Sequence, residues 1–124
     1  MTPEARLTAA IVRRLRQYKL DGMPIWWMKI GGSALQKRGV PDLLIVLNGR
    51  AVFLEVKVPG NNATPLQLRR LDEIRNAGGV AMVCRTVEEV EAWVRVLTEE
   101  ASVFDDQRQI ARRRNPRANR RRGP

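Results

Sequence analysis

The dipeptide Asn48-Gly49 constrains this chain more than any other feature, because it lies between two strongly apolar arms, 42–47 and 50–57. Asn-Gly is a two-residue hairpin turn in which both residues take positive φ. Such a turn fixes the register, so Leu47 faces Arg50 and every pair of positions summing to 97 stands opposite. Asp42 and Glu55 form one of these pairs. Lys57 shares their face, since side chains alternate along a strand with period 2. Both arms are rich in branched and aromatic residues and are expected to be strands buried on both faces.

Opposed residues in an antiparallel pair have Cβ atoms about 5 Å apart, where two like charges repel by roughly 3 kcal/mol at an effective dielectric of about 20. Desolvation adds to the penalty. Lys57 offsets part of it, and a divalent cation offsets more, because hard cations such as Mg²⁺ take carboxylate, water and phosphate oxygens. Lys57 could then orient a water for attack or steady charge building on a phosphate. Metal-assisted phosphodiester cleavage is the chemistry this arrangement suits. The alternative is structural: Asp42 starts a strand after Pro41, while Glu55 and Lys57 form an ion pair at a sheet end. An isolated E-x-K triplet favours that alternative, whereas an opposed Asp across an Asn-Gly turn favours the metal site.

These residues resemble the signature of the PD-(D/E)xK nuclease superfamily, with Pro41-Asp42 as the first half and Glu55-Val56-Lys57 as the second. Gly39-Val40-Pro41-Asp42-Leu43, Glu55-Val56-Lys57-Val58-Pro59 and Gln67 on the following helix together resemble the virus-type replication-repair nuclease (VRR-NUC) domain. Glu4 matches an acid at the start of that domain's first helix. The resemblance runs from about Met1 to Thr98. It implies a homodimeric, Mg²⁺- or Mn²⁺-dependent endonuclease acting on branched DNA such as Holliday junctions and leaving 5′-phosphate. It also implies Asp42, Glu55, Val56 (through its carbonyl) and Glu4 as metal-site residues, with Lys57 and Gln67 completing the catalytic set.

With no His in the chain, His-based zinc sites, Ser-His triads and HNH-type nuclease chemistry are excluded. The single Cys84, in the apolar run 80–84, cannot form an internal disulfide and reads as a buried, inert thiol. No apolar run is long enough to cross a bilayer and no secretory leader opens the chain, so a cytoplasmic setting in a phage-infected or bacterial cell is expected. At 124 residues a single core is expected.

Thr2-Pro3-Glu4 starts a helix that runs to about Lys19, with Leu7, Ile11, Leu15 and Tyr18 at helical spacing. A strand follows at 25–30, with Trp26 and Trp27 on opposite faces; one or both pack in the core, and either could stack on a base. After the hairpin, Thr64-Pro65 opens a helix carrying Leu68, Leu71 and Ile74, which stops at Gly78-Gly79. A strand at 80–84 and a helix from Thr86, with Val87, Val90, Val94 and Leu97 on one face, complete the order α-β-β-β-α-β-α. A right-handed crossover makes the strands at 55 and 84 parallel. The fold class is α/β: a restriction-endonuclease-like mixed sheet flanked by helices.

Gln67 has two readings, one as the reciprocal partner of Thr64 in a capping box and one, implied by the resemblance, as a residue reaching the site to position water or Lys57. Glu4 likewise either complements its helix dipole or serves as a third acid. Lys37 and Arg38, just ahead of Asp42, form a phosphate clamp or a merely solvated loop.

The formal charge of +10 is uneven: eight Arg and no acid lie from Gln107 onward, while the first 106 residues carry fifteen basic and thirteen acidic side chains. The chain is therefore divided into a nuclease-like domain at 1–106 and an Arg-rich tail at 107–124, expected to be disordered in isolation. Arg112, Arg113, Arg114 and their neighbours would add salt-sensitive, sequence-independent attraction to phosphates. Two rivals remain: a non-catalytic nucleic-acid-binding module of the same fold, and a nickase or flap endonuclease.

Overall fold

The computed structural model describes the backbone of residues 1–31 and 38–114, with side chains throughout that range except at 101–109 and 112. Its elements are α1 (Pro3–Leu20), β1 (Ile25–Lys29), β2 (Leu43–Leu47), β3 (Arg50–Val56), α2 (Pro65–Asn76), β4 (Val80–Cys84) and α3 (Val87–Arg114). The four strands form one mixed sheet in the order β1-β2-β3-β4, antiparallel except for the β3–β4 pair. The expected element order and the parallel pairing of β3 with β4 are those observed.

Asn48 and Gly49 take φ of 50° and 79°, as a two-residue hairpin turn requires. Leu47 pairs with Arg50 and Leu43 with Leu54, which is the register the turn dictates. Each helix begins on a hydroxyl cap. Thr2 Oγ1 accepts from the Ala5 amide, Thr64 Oγ1 from Gln67 and Thr86 Oγ1 from Glu89.

The two sheet faces differ. On one, Ile25, Leu43, Ile45, Leu47, Val52, Leu54, Val56 and Cys84 pack against Ile11 and Leu15 of α1 and Val90, Trp93, Val94 and Leu97 of α3. The other face is covered by α2 only along β4, where Leu71 and Ala81 are buried. Residues 42–47 alternate between buried and half-buried, so the hairpin arms are not enclosed on both sides. The expectation of strands buried on both faces is corrected accordingly. Three helices cannot cover both faces of a four-stranded sheet when two of them share one side.

Leu68, placed with Leu71 and Ile74 from its helical spacing, is 47% exposed. The last helix is described as far as Arg114, past position 106. The stretch 107–114 is composed almost wholly of good helix formers, and the residue before Pro116 is the first disfavoured in α conformation. Residues 115–124 lie outside the described residues.

Candidate active site

Asp42 immediately precedes β2 and Glu55 lies near the end of β3, and the hairpin register sets them side by side on the sheet face that α2 leaves open. Asp42 Oδ2 accepts a 2.7 Å hydrogen bond from the Val56 amide, which fixes the carboxylate against β3. Its carbonyl accepts from Ile30 at 2.9 Å and Gly31 at 3.3 Å, fastening it to the end of β1 as well. Gly31 is needed for that approach. A Cβ there would lie 3.2 Å from both Asp42 Cα and the Pro41 carbonyl oxygen.

Glu55 is the only buried charged or polar residue among the described residues, at 2% exposure. Its Oε1 accepts from Gln67 Nε2 at 3.1 Å and lies 3.8 Å from Lys57 Nζ. Its Oε2 is buried without a hydrogen-bond partner. Burial pushes the Glu55 carboxyl up from 4.5 to about 8, helped by the Asp42 charge and a hydrogen bond to Asp42, with Lys57 opposing and Glu4 reinforcing the rise. Glu55 in the isolated chain thus favours its protonated form, in which it can donate to Asp42.

Lys57 Nζ also stands 3.9 Å from Glu4 Oε1, so its amino group bridges α1 and β3. Glu4 reaches the carboxylate pair through Lys57. Among the described residues no three His, Cys, Asp or Glu side chains gather at metal-ligating spacing. Asp42 and Glu55 are the two acids that the hairpin brings into direct interaction.

Gln67 caps its own helix and also touches the acidic cluster. Its Oε1 accepts from the Thr64 amide at 2.9 Å, closing the capping box, while its Nε2 donates to Glu55. Arg38 is exposed, and its carbonyl oxygen accepts from Arg70 Nε at 3.0 Å. Lys37 and the side chain of Arg112 lie outside the described residues, whereas Arg113 and Arg114 are exposed at the end of α3, remote in sequence from the hairpin. Cys84 is buried, and desolvation pushes its thiol up to about 12, which removes it as a nucleophile.

Gly31 and Arg70 are not legible in the sequence as site-supporting residues. Gly31 sits in a Gly-Gly pair that reads as loop, and the only available signal is that the β1–β2 register, once known, brings Ile30 opposite Asp42. Arg70 offers no signal beyond a charged position on α2.

A solved structure described as a "VRR_NUC domain" superposes on this chain with a TM-score of 0.63 at 26% identity, covering 77% of this chain and 97% of that one. The chain therefore shares the fold of VRR_NUC domains. A second solved structure, a "VRR_NUC domain protein", shares the fold with the same TM-score of 0.63 at 22% identity, over 76% of this chain and 86% of its own. In sequence, "Putative nuclease p44" of Acyrthosiphon pisum secondary endosymbiont phage 1 is 51% identical over 47 residues, which is 33% of this chain. That match spans half of the phage protein's length. No family model matches the sequence. Among the described residues, no helix is long and apolar enough to cross a membrane.

Proposed function

We propose that this VRR_NUC domain is a divalent-metal-dependent endodeoxyribonuclease that acts on branched DNA, such as four-way junctions, as a homodimer. The observation that carries the reading is the Asp42–Glu55 pair. Two carboxyl groups are held together at the edge of a core, one with an unpartnered buried oxygen and a strongly raised pKa. An all-oxygen donor set of this kind fits Mg²⁺ or Mn²⁺. Asp42, Glu55 and the Val56 carbonyl would hold such an ion, which would supply positive charge against the phosphate and make nearby water more acidic.

The protein's own groups then have distinct tasks. Hydrogen bonds from the Val56 amide and from Gln67 occupy one oxygen of each carboxyl and fix both rotamers. Glu55 must give up its proton for the pair to hold a cation, so metal binding releases a proton near neutral pH. Lys57, held between the Glu4 and Glu55 carboxyl groups, orients the attacking water or stabilises charge on the phosphate oxygens. Glu4 positions Lys57 and would contribute to metal binding directly or through water. Attack on phosphorus would break the bond to the 3′ oxygen, leaving 3′-hydroxyl and 5′-phosphate ends. Arg38, Lys37 and the Arg-rich end of the chain, including Arg112, Arg113 and Arg114, would hold the DNA backbone without reading its sequence.

Resolving a four-way junction requires two opposed incisions, and one carboxylate pair per chain then calls for a two-fold dimer. The test is a panel of linear, nicked, flap, forked and four-way substrates with Mg²⁺ or Mn²⁺. Cleavage of the four-way substrate by the wild type, lost in Asp42→Asn and Lys57→Ala, is the expected result. Unchanged cutting by those variants would sink the assignment, and preferential cutting of flaps by a monomer would replace junction resolution with a flap activity.

A further inference from the structure

The sheet face that carries Asp42 and Glu55 continues along the strands as an apolar surface. Trp26 stands opposite Val46 and Met28 opposite Leu44. Across the hairpin, Leu44 faces Phe53 and Val46 faces Ala51. Trp26 is 49% exposed and Met28 43%, and Leu44, Val46 and Phe53 are half-buried, because α2 covers this face only along β4. Trp27 points the other way and packs against the main core. The adjacent tryptophans are thus divided, one structural and one presented to solvent on the face of the candidate site.

Glu55 is the sole charged residue that β1, β2 and β3 place on this face, with Asp42 just beyond β2. Ile30 lies opposite Asp42, and Trp26 is four residues back along the same strand, about 13 Å away. A polynucleotide whose scissile phosphate sits at Asp42 and Glu55 must approach this face, and a strand leaving along β1 meets Met28 and then Trp26. Fully paired duplex presents charged phosphates to a stretch made of Trp26, Met28, Leu44, Val46, Ala51 and Phe53, none of which carries a charge, while Lys57 lies beyond β3 beside the carboxylate pair. An unpaired nucleotide presents an aromatic base, which stacks on a tryptophan face whatever its sequence. A second copy of the chain seated here would stand over the approach to the carboxylate pair, so the substrate is the better-fitting occupant.

We propose that Trp26, supported by Met28, Leu44 and Phe53, is a stacking platform for unpaired nucleobases flanking the cleavage position. This rests on the nuclease reading of Asp42 and Glu55, and it selects DNA with single-stranded character beside the cut.

Binding is tested in the full chain without divalent metal, by fluorescence anisotropy of a labelled short oligothymidylate and of a blunt duplex. Trp26→Ala should weaken oligothymidylate binding by about tenfold or more, while Trp26→Phe, which keeps a ring, stays within about threefold of wild type. Duplex affinity should change by less than about twofold, since phosphate contacts dominate it. Equal oligothymidylate affinity of wild type and Trp26→Ala would overturn the platform. So would a wild-type dimer that Trp26→Ala converts to monomer with oligothymidylate affinity intact, which would make the face a contact between copies. Ring-dependent binding without cleavage of any substrate in Mg²⁺ would leave the platform standing and remove the nuclease reading.

Discussion

The Val56 amide donates a 2.7 Å hydrogen bond to Asp42 Oδ2, so the backbone beside Glu55 holds the carboxylate that Glu55 faces. One strand thereby carries the second acid and anchors the first. The geometry resists relaxation, because Asp42 is tied through its carbonyl to Ile30 and Gly31 and through its side chain to β3. Glu55 responds by holding its proton, its carboxyl raised to about 8.

Removing the Glu55 charge should therefore stabilise the fold while abolishing its chemistry. Glu55→Gln is expected to unfold at a higher temperature than wild type at pH 8 without metal, by on the order of 1 kcal/mol. Cleavage should fall by at least about 100-fold, in keeping with a site that trades stability for function. Thermal denaturation beside a cleavage assay checks both.

Stability should fall as pH rises through a defined window. The folded-state value of Glu55, about 8, lies above its ordinary 4.5, so the native state binds the extra proton. The contribution is complete below about 4.5 and is lost as pH passes through about 8. Metal-free melting temperatures should decline across this range in wild type and not in Glu55→Gln. Mg²⁺ at about 100 times its dissociation constant should raise stability by roughly 2.7 kcal/mol. That gain should grow with pH and vanish in Asp42→Asn.

Gln67 and Thr64 should separate helix capping from site support. Thr64→Ala removes a cap hydroxyl and is expected to cost about 1 kcal/mol with cleavage largely retained. Gln67→Ala removes the reciprocal cap bond and also the donor to Glu55, so it should lose about as much stability and at least about tenfold in cleavage. Denaturant melts paired with single-turnover rates distinguish the two variants.

Gly39→Ala should destabilise by roughly 1–3 kcal/mol. Gly39 has φ of +77°, and a Cβ there would lie 2.8 Å from Leu66 Cγ on α2. Since Gly39 leads into Pro41-Asp42, metal binding should weaken along with the fold, measured by titrating Mg²⁺ against thermal stability.

Truncation after Asp106 should reduce the salt dependence of DNA binding. It removes eight Arg and no acid. On duplex DNA the slope of log affinity against log salt becomes shallower by about 0.9 for each phosphate that the shortened chain no longer neutralises. Cleavage at low salt should survive, because the carboxylate pair is untouched.

The hairpin is legible from local chemistry. Asn48-Gly49 admits few backbone conformations, and a two-residue turn leaves one register, so Asp42, Glu55 and Lys57 come together without any tertiary information. Helix starts are equally local, because Thr2, Thr64 and Thr86 satisfy amides three residues ahead. That α3 continues to Arg114 is compatible with the local sequence, since 107–114 is composed almost wholly of good helix formers.

What only the tertiary structure decided concerns segments distant in the chain. Docking of α2 beside β4 lets Gln67 reach Glu55 while still capping its own helix. The lateral pairing of β1 with β2 brings Gly31 against Asp42, and the choice of which sheet face two helices cover leaves Trp26 exposed and Trp27 packed. No turn of fixed length links those pieces. Their placement follows from burying apolar area over the whole sheet, a sum to which the entire chain contributes and which no short motif encodes.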